Sequence, residues 1–235
     1  MQRRKNYEYY KEILERLKAY RLSWEISKAE MAKKLGIDRS LYSRIEKGTK
    51  AVTSEILIKM YKLGIDIDYL VTGIKSKHTE LSSLFEKCEE TKKSNFVNII
   101  VAYMNVMLNN DVDKKLYCRK ELEILHFNID KKNGERDGTV WLCIREIHNY
   151  TQEQLRKVLD LNIKTYRKIE KGKTMPTLEI LMNLYLELGY YPSLVQEIDS
   201  NCLLMINNAW MELAEDKQES MRNIAAKTLK ELNRI

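Results

Sequence analysis

The chain repeats itself. Residues 35–48 read LGIDRSLYSRIEKG and residues 159–172 read LDLNIKTYRKIEKG. Both close on Ile-Glu-Lys-Gly, and the offset is 124 residues from Leu35 to Leu159 and again from Gly48 to Gly172. Two copies of one segment must each form the same supersecondary unit, so this self-similarity restricts the architecture more than composition does. Apolar residues in both copies recur at helical spacing. With 2 prolines, 8 glycines and no sustained alternating pattern, the expected fold class is all-α.

The first copy can be built residue by residue. Ser27 stands three positions before Glu30, a capping box that starts a helix. Met31, Ala32 and Leu35 supply a short apolar face, with Ala32 small where a second helix must approach. Gly36 leaves the helix in the left-handed conformation that glycine adopts cheaply. Ile37 plugs the turn, and Asp38 is an N-cap for a second helix through Lys47. Tyr42 and Ile45 face inward on it, Arg39, Ser40, Ser43 and Arg44 lie on the other side, and Gly48 ends it. Two short helices, a tight turn and a basic outer face describe a helix-turn-helix.

These residues resemble the phage repressor/Cro family of the xenobiotic-response-element type. Arg21 matches a helix 1 arginine that, in relatives, pairs with the glutamate near the end of the recognition helix, here Glu46. Leu63-Gly64, Asp68-Tyr69-Leu70 and Gly73 match the end of helix 4 and the start of helix 5, so the likeness covers residues 13–73 without an insertion. The resemblance implies a lambda-repressor-like five-helix domain that binds double-stranded DNA. Its implied contacts are Asp38, Arg39, Ser40, Ser43 and Arg44 on the recognition helix, with Lys28 and Lys50 at the phosphate backbone. Arginine suits guanine O6/N7 in the major groove.

The second copy keeps most of this register. Thr151 and Gln154 form another capping box, Arg145 and Glu170 repeat the ion-pair positions, and Met175-Pro176-Thr177-Leu178-Glu179 leads into helix 4, which closes at Leu188-Gly189. Its implied DNA contacts are Gln152, Asn162, Ile163, Lys164, Arg167 and Lys168. Asn162 suits adenine, Ile163 a thymine methyl, and Lys164 and Lys168 guanine or phosphate. Arg156 replaces the small residue of helix 2 and Asp160 the turn glycine. A long side chain can snorkel out of a crowded crossing, and Asp visits the left-handed region more readily than most residues.

The duplicated unit is longer than the motif. Leu81, Leu84, Phe85 and Cys88 correspond to Ile206, Ala209, Trp210 and Leu213, and Lys92, Phe96, Asn98 and Ile99 to Lys217, Met221, Asn223 and Ile224. Two trailing helices are therefore expected after each domain, apolar enough to pack against other helices. The expected division is a first domain at 7–75, trailing helices at 76–110, a connecting helix and linker at 111–138, a second domain at 139–197 and trailing helices at 198–235. The connecting helix is expected at 114–125 and the polar link at 127–138.

A net charge of +7 and a pI near 9.0 suit a polyanionic partner. Residues 2–5 are either a DNA-touching arm or a solvated tail. Cys88, Cys118, Cys143 and Cys202 are scattered, and with His78, His126 and His148 they make no metal-ligand spacing. They read as reduced core thiols or, in the alternative, redox sensors. No phosphate-cradling loop or nucleophile motif is present, so no catalytic residue, metal or cofactor is expected. No apolar run approaches a membrane span, and a cytoplasmic location follows.

The function expected is a transcriptional regulator, a repressor in the simplest case, in a bacterium, phage or mobile element. The alternative is an antitoxin or regulatory adaptor whose second copy holds a protein partner. Association is expected through the trailing helices, as a homodimer of chains or as an internal pseudo-dimer.

Overall fold

Side-chain caps set the starts of the short helices. A computed structural model describes residues 2–74, 80–108, 120, 123–124, 126–128, 130–131, 134–192, 195, 210 and 213–234. Among them the elements are helical and no strand occurs: α1 (Gln2–Ser23), α2 (Lys28–Leu35), α3 (Arg39–Glu46), α4 (Ser54–Lys62), α5 (Ile67–Thr72), α6 (Glu80–Glu86), α7 (Lys93–Met107), α8 (Val140–Ile147), α9 (Gln152–Val158), α10 (Ile163–Glu170), α11 (Leu178–Leu188) and α12 (Glu215–Leu232). Residues 114–119 of the expected connecting helix, and His78, Cys118, Cys202, Ile206 and Ala209, lie outside the described residues.

Both capping boxes are closed. The Ser27 amide donates to Glu30 Oε2 at 2.8 Å, and the Glu30 amide to Ser27 Oγ at 3.2 Å. Thr151 and Gln154 make the same pair of bonds at 2.8 and 3.2 Å. The turn after each helix is also the same turn. Gly36 and Ile37 donate to Lys33 and Ala32, and Asp160 and Leu161 donate to Lys157 and Arg156. Left-handed backbone falls at matched places throughout: Glu25 and Asn149, Gly36 and Asp160, Gly48 and Gly172. The two departures are thus absorbed. Asp160 holds φ 51° where Gly36 holds 60°, and Arg156 reaches out to Glu153 and back to the Leu161 carbonyl at 3.4 Å.

The chain divides into two compact units that cut across the sequence repeat. One comprises Met1–Ser76 and Tyr150–Ile198, and the other Lys77–Asn149 and Asp199–Ile235. The first therefore holds α1–α5 together with α9–α11. Ile13, Leu17, Met31, Leu35, Tyr42 and Leu57 fill its core with almost no exposure. Within this unit α11 lies against α5 and α1. Asn6 donates to Asn183 at 3.0 Å, and Asn183 in turn donates to the Leu159 carbonyl at 3.0 Å.

The second unit gathers the trailing helices. α12 packs on α7 and α6, burying Phe96, Ile100 and Met104 from one repeat and Met221, Ala225 and Leu229 from the other. Lys217, near the start of α12, donates to the carbonyl of Met107 at the end of α7 at 3.2 Å. The two helices therefore run antiparallel, with a cation on the negative end of the α7 dipole. α8 belongs to this unit as well. Thr139 caps it, and Val140, Trp141, Cys143 and Ile144 are buried. Of the expected polar link, 127–128 and 130–131 are helical and Phe127 is buried, while 134–139 are outside any helix.

Substitution at the turn tests the matched left-handed positions. Left-handed backbone costs an ordinary L-residue roughly 1–2 kcal/mol, and Asp less. Gly36→Val should destabilise the chain in urea unfolding by about that amount, and Gly36→Asp by clearly less. Equal losses for the two variants would contradict this account of why Asp160 is tolerated.

Candidate nucleic-acid interface

α3 is held at both ends by its own sequence. The Asp38 carboxylate accepts from the amides of Ser40 at 2.6 Å and Leu41 at 3.3 Å. Hydrogen bonds from Ser40, followed by the Leu41 amide, hold that carboxyl below the usual carboxylate range. At the other end Gly48 turns with φ 71°, and the Thr49 amide and hydroxyl both donate to the Arg44 carbonyl at 2.9 and 3.1 Å. Tyr42 and Ile45 are wholly buried. Arg39, Ser40 and Arg44 are exposed and Ser43 is half-buried.

One inward carboxylate orients the helix. Glu46, with 1% of its side chain exposed, accepts from Arg21 Nε at 2.6 Å and pairs with Lys28 Nζ at 2.7 Å. Arg21 also donates to the Ile26 carbonyl at 2.9 Å, in the turn between α1 and α2. Burial opposes ionisation of Glu46, but the contacts from Arg21 and Lys28 outweigh it, and the carboxyl sits below its ordinary value of 4.5. Lys28, implied at a phosphate, thus has its ammonium on Glu46 while its side chain stays partly exposed. Lys50 is exposed in the loop after α3.

The second copy uses different chemistry at the same positions. Asn162 caps α10 by accepting from the Thr165 amide at 2.8 Å. Glu170 is buried and accepts from Gln152 Nε2 at 2.8 Å and from the Tyr166 hydroxyl. Gln152 spans the network, because its Oε1 accepts from Arg167 Nε at 3.1 Å. Arg145 lies half-buried on α8. Lys164, Arg167 and Lys168 are exposed on α10, and Ile163 is half-buried.

Each outer face therefore presents cations on a capped helix of 8 residues. Lys47 and Lys171, exposed at the ends of α3 and α10, extend both faces. Sequence reasoning passed over them, although both belong to the repeated Ile-Glu-Lys-Gly. Among the described residues no group of His, Cys, Asp and Glu could hold a metal ion. Cys88 and Cys143 are buried, and burial pushes the Cys143 thiol up to about 11, far from a nucleophile's range. No helix among the described residues is long and apolar enough to cross a membrane.

A helix-turn-helix family model matches residues 17–70 and, separately, residues 144–193. No curated protein and no solved structure matches the chain.

Removing one partner of a buried ion pair costs roughly 3–5 kcal/mol, because the other charge is left buried. Arg21→Ala should show a loss at or below the lower end of that range in urea unfolding at neutral pH, because Lys28 still pairs with Glu46. The pH dependence has a definite sign. A depressed carboxyl stabilises the fold above its unfolded value of 4.5 and loses that contribution as pH falls through the folded value. Glu46→Gln should flatten the fall in stability below about pH 4.5. A slope identical to that of the parent chain would remove Glu46 from the network.

Proposed function

The chain belongs to the helix-turn-helix family through two tandem copies, and from that premise we propose that it is a sequence-specific transcriptional repressor. The observation that carries this reading is the pairing of an exposed cationic face with a buried carboxylate on each recognition helix. On α3 the carboxylate is tied to Arg21 and Lys28, which fixes the direction in which Arg39 and Arg44 project. Arginine at a fixed angle can make the bidentate contact to guanine that discriminates bases. Lys47 and Lys50 add charge where the phosphate backbone would run, in keeping with a net charge of +7. Repression requires only occupancy, since a bound protein excludes polymerase without further contacts.

The adaptor or antitoxin reading has one observation on its side. Tyr103 and Val106, three residues apart on one face of α7, are 43% and 73% exposed. Such an apolar pair fits a protein partner, but it is small beside the area that a stable interface buries.

Selection of bound sequences from a random DNA pool tests the DNA reading directly. Given a selected site, Arg39→Ala and Arg44→Ala should each lose roughly 1–3 kcal/mol of discrimination at one base position. Lys50→Ala should weaken all sequences alike and shallow the salt slope by about one unit. Recovery of no enriched motif would move the function to the protein-partner reading.

A further inference from the structure

The segments that follow the two recognition helices meet in the first compact unit, and they meet symmetrically. Under the offset of 124, Val52 corresponds to Pro176 and Ser54 to Leu178. The Ser54 hydroxyl donates to the Pro176 carbonyl. The Leu178 amide donates to the Val52 carbonyl at 2.9 Å. Each copy's residue 54 position thus bonds the other copy's residue 52 position. Exchange of residue i with j and of j with i is what a two-fold axis produces in an isologous interface. The junction is dry: Val52 and Leu178 are 0% exposed, and Ser54 is 2% exposed.

The same face continues away from this junction. α11 of the second copy lies on α1 and α5 of the first, and Asn6 bonds Asn183. In the other compact unit, equivalent apolar residues of the trailing helices, Phe96 with Met221, Ile100 with Ala225 and Met104 with Leu229, are buried within one chain. Surfaces that could pair two chains are consumed inside one.

The two halves are not equal. α1 has 22 residues where its counterpart α8 has 8. The outward residues Arg39, Ser40 and Arg44 of one helix stand against Ile163, Lys164 and Lys168 of the other. A palindrome would mismatch one of them.

We infer that a single chain is the complete DNA-reading unit: its two copies, joined about an internal pseudo-two-fold axis, address one non-palindromic operator of two unlike half-sites. The inference rests on the DNA reading proposed above. The reciprocal contact lies only a few positions beyond Gly48 and Gly172, so α3 and α10 are expected on either side of it. Half-sites are then expected about one helical turn apart, on the order of 34 Å.

The test uses the full chain and a duplex selected from a random pool, with native mass spectrometry for stoichiometry and a footprint for extent. One chain per duplex, on a motif whose halves differ, is the expected result. A second duplex carries five extra base pairs between the halves, which turns one half-site to the opposite face. Affinity should fall there to that of a single half-site, because the paired copies cannot follow the rotation. In the Lys164→Ala/Lys168→Ala variant, protection should be lost on one side only. Two chains on a palindrome, full affinity for the lengthened duplex, or a footprint unchanged in the variant would each overturn the inference while leaving DNA recognition intact. Failure to enrich any motif would overturn the DNA reading itself, a different outcome.

Discussion

A single buried carboxylate organises the first motif. Glu46 draws Arg21 from α1 and Lys28 from α2 onto the last turn of α3, so three helices converge on one anion. Burial works against its charge, and the hydrogen bonds more than offset that penalty. Such a network sets geometry as much as stability, since removing Glu46 leaves the buried Arg21 guanidinium without its carboxylate. The angle at which α3 leaves the turn, and with it the direction of Arg39 and Arg44, depends on these contacts. Arg21 strengthens the constraint by also holding the Ile26 carbonyl, which ties the α1–α2 turn to the same point.

What was legible in the sequence is what is written locally. Caps at Ser27, Asp38 and Thr151 announce themselves by residue type and by the apolar spacing that follows, and all three cap their helices; Asn162, read in the sequence only as a base contact, also caps its helix. The repeat offset carries the turn, the left-handed positions and the buried Tyr and Ile of each recognition helix from one copy to the other. The Arg21–Glu46 pair was readable only through resemblance, because nothing in spacing alone brings residues 21 and 46 together.

What escaped was non-local. The meeting of 52–54 with 176–178 joins segments far apart in sequence by one hydroxyl and one amide, neither of which has a pattern. Lys28 has a partner the sequence did not show: read as a phosphate contact, it also pairs with Glu46 inside its own domain. Phe127 falls at the start of a link read from the polar, turn-rich run at 130–138, and its burial shows that an aromatic is drawn inward when a hydrophobic surface is within reach. The grouping of α8 with the trailing helices could not be anticipated from the repeat, which pairs it in register with α1.

The two copies place their charges differently. Where the first copy has Lys28 beside its carboxylate, the second has the neutral Gln152; where the first has Ser43, the second has Arg167. The position equivalent to Lys28 is thus neutral in the second copy and the one equivalent to Ser43 is cationic, with Gln152 bridging Glu170 and Arg167. The chemistry of the faces differs accordingly. Arg39 and Arg44 are planar, multidentate donors standing free on α3, suited to reading a base edge. Lys164 and Lys168 are compact point charges, suited to phosphate, and Arg167 is partly committed to Gln152. A chain built this way would draw most of its base discrimination from the first copy and much of its electrostatic hold from the second. On the DNA reading proposed above, unlike copies would let one chain separate the two tasks that a symmetric dimer must perform with identical helices.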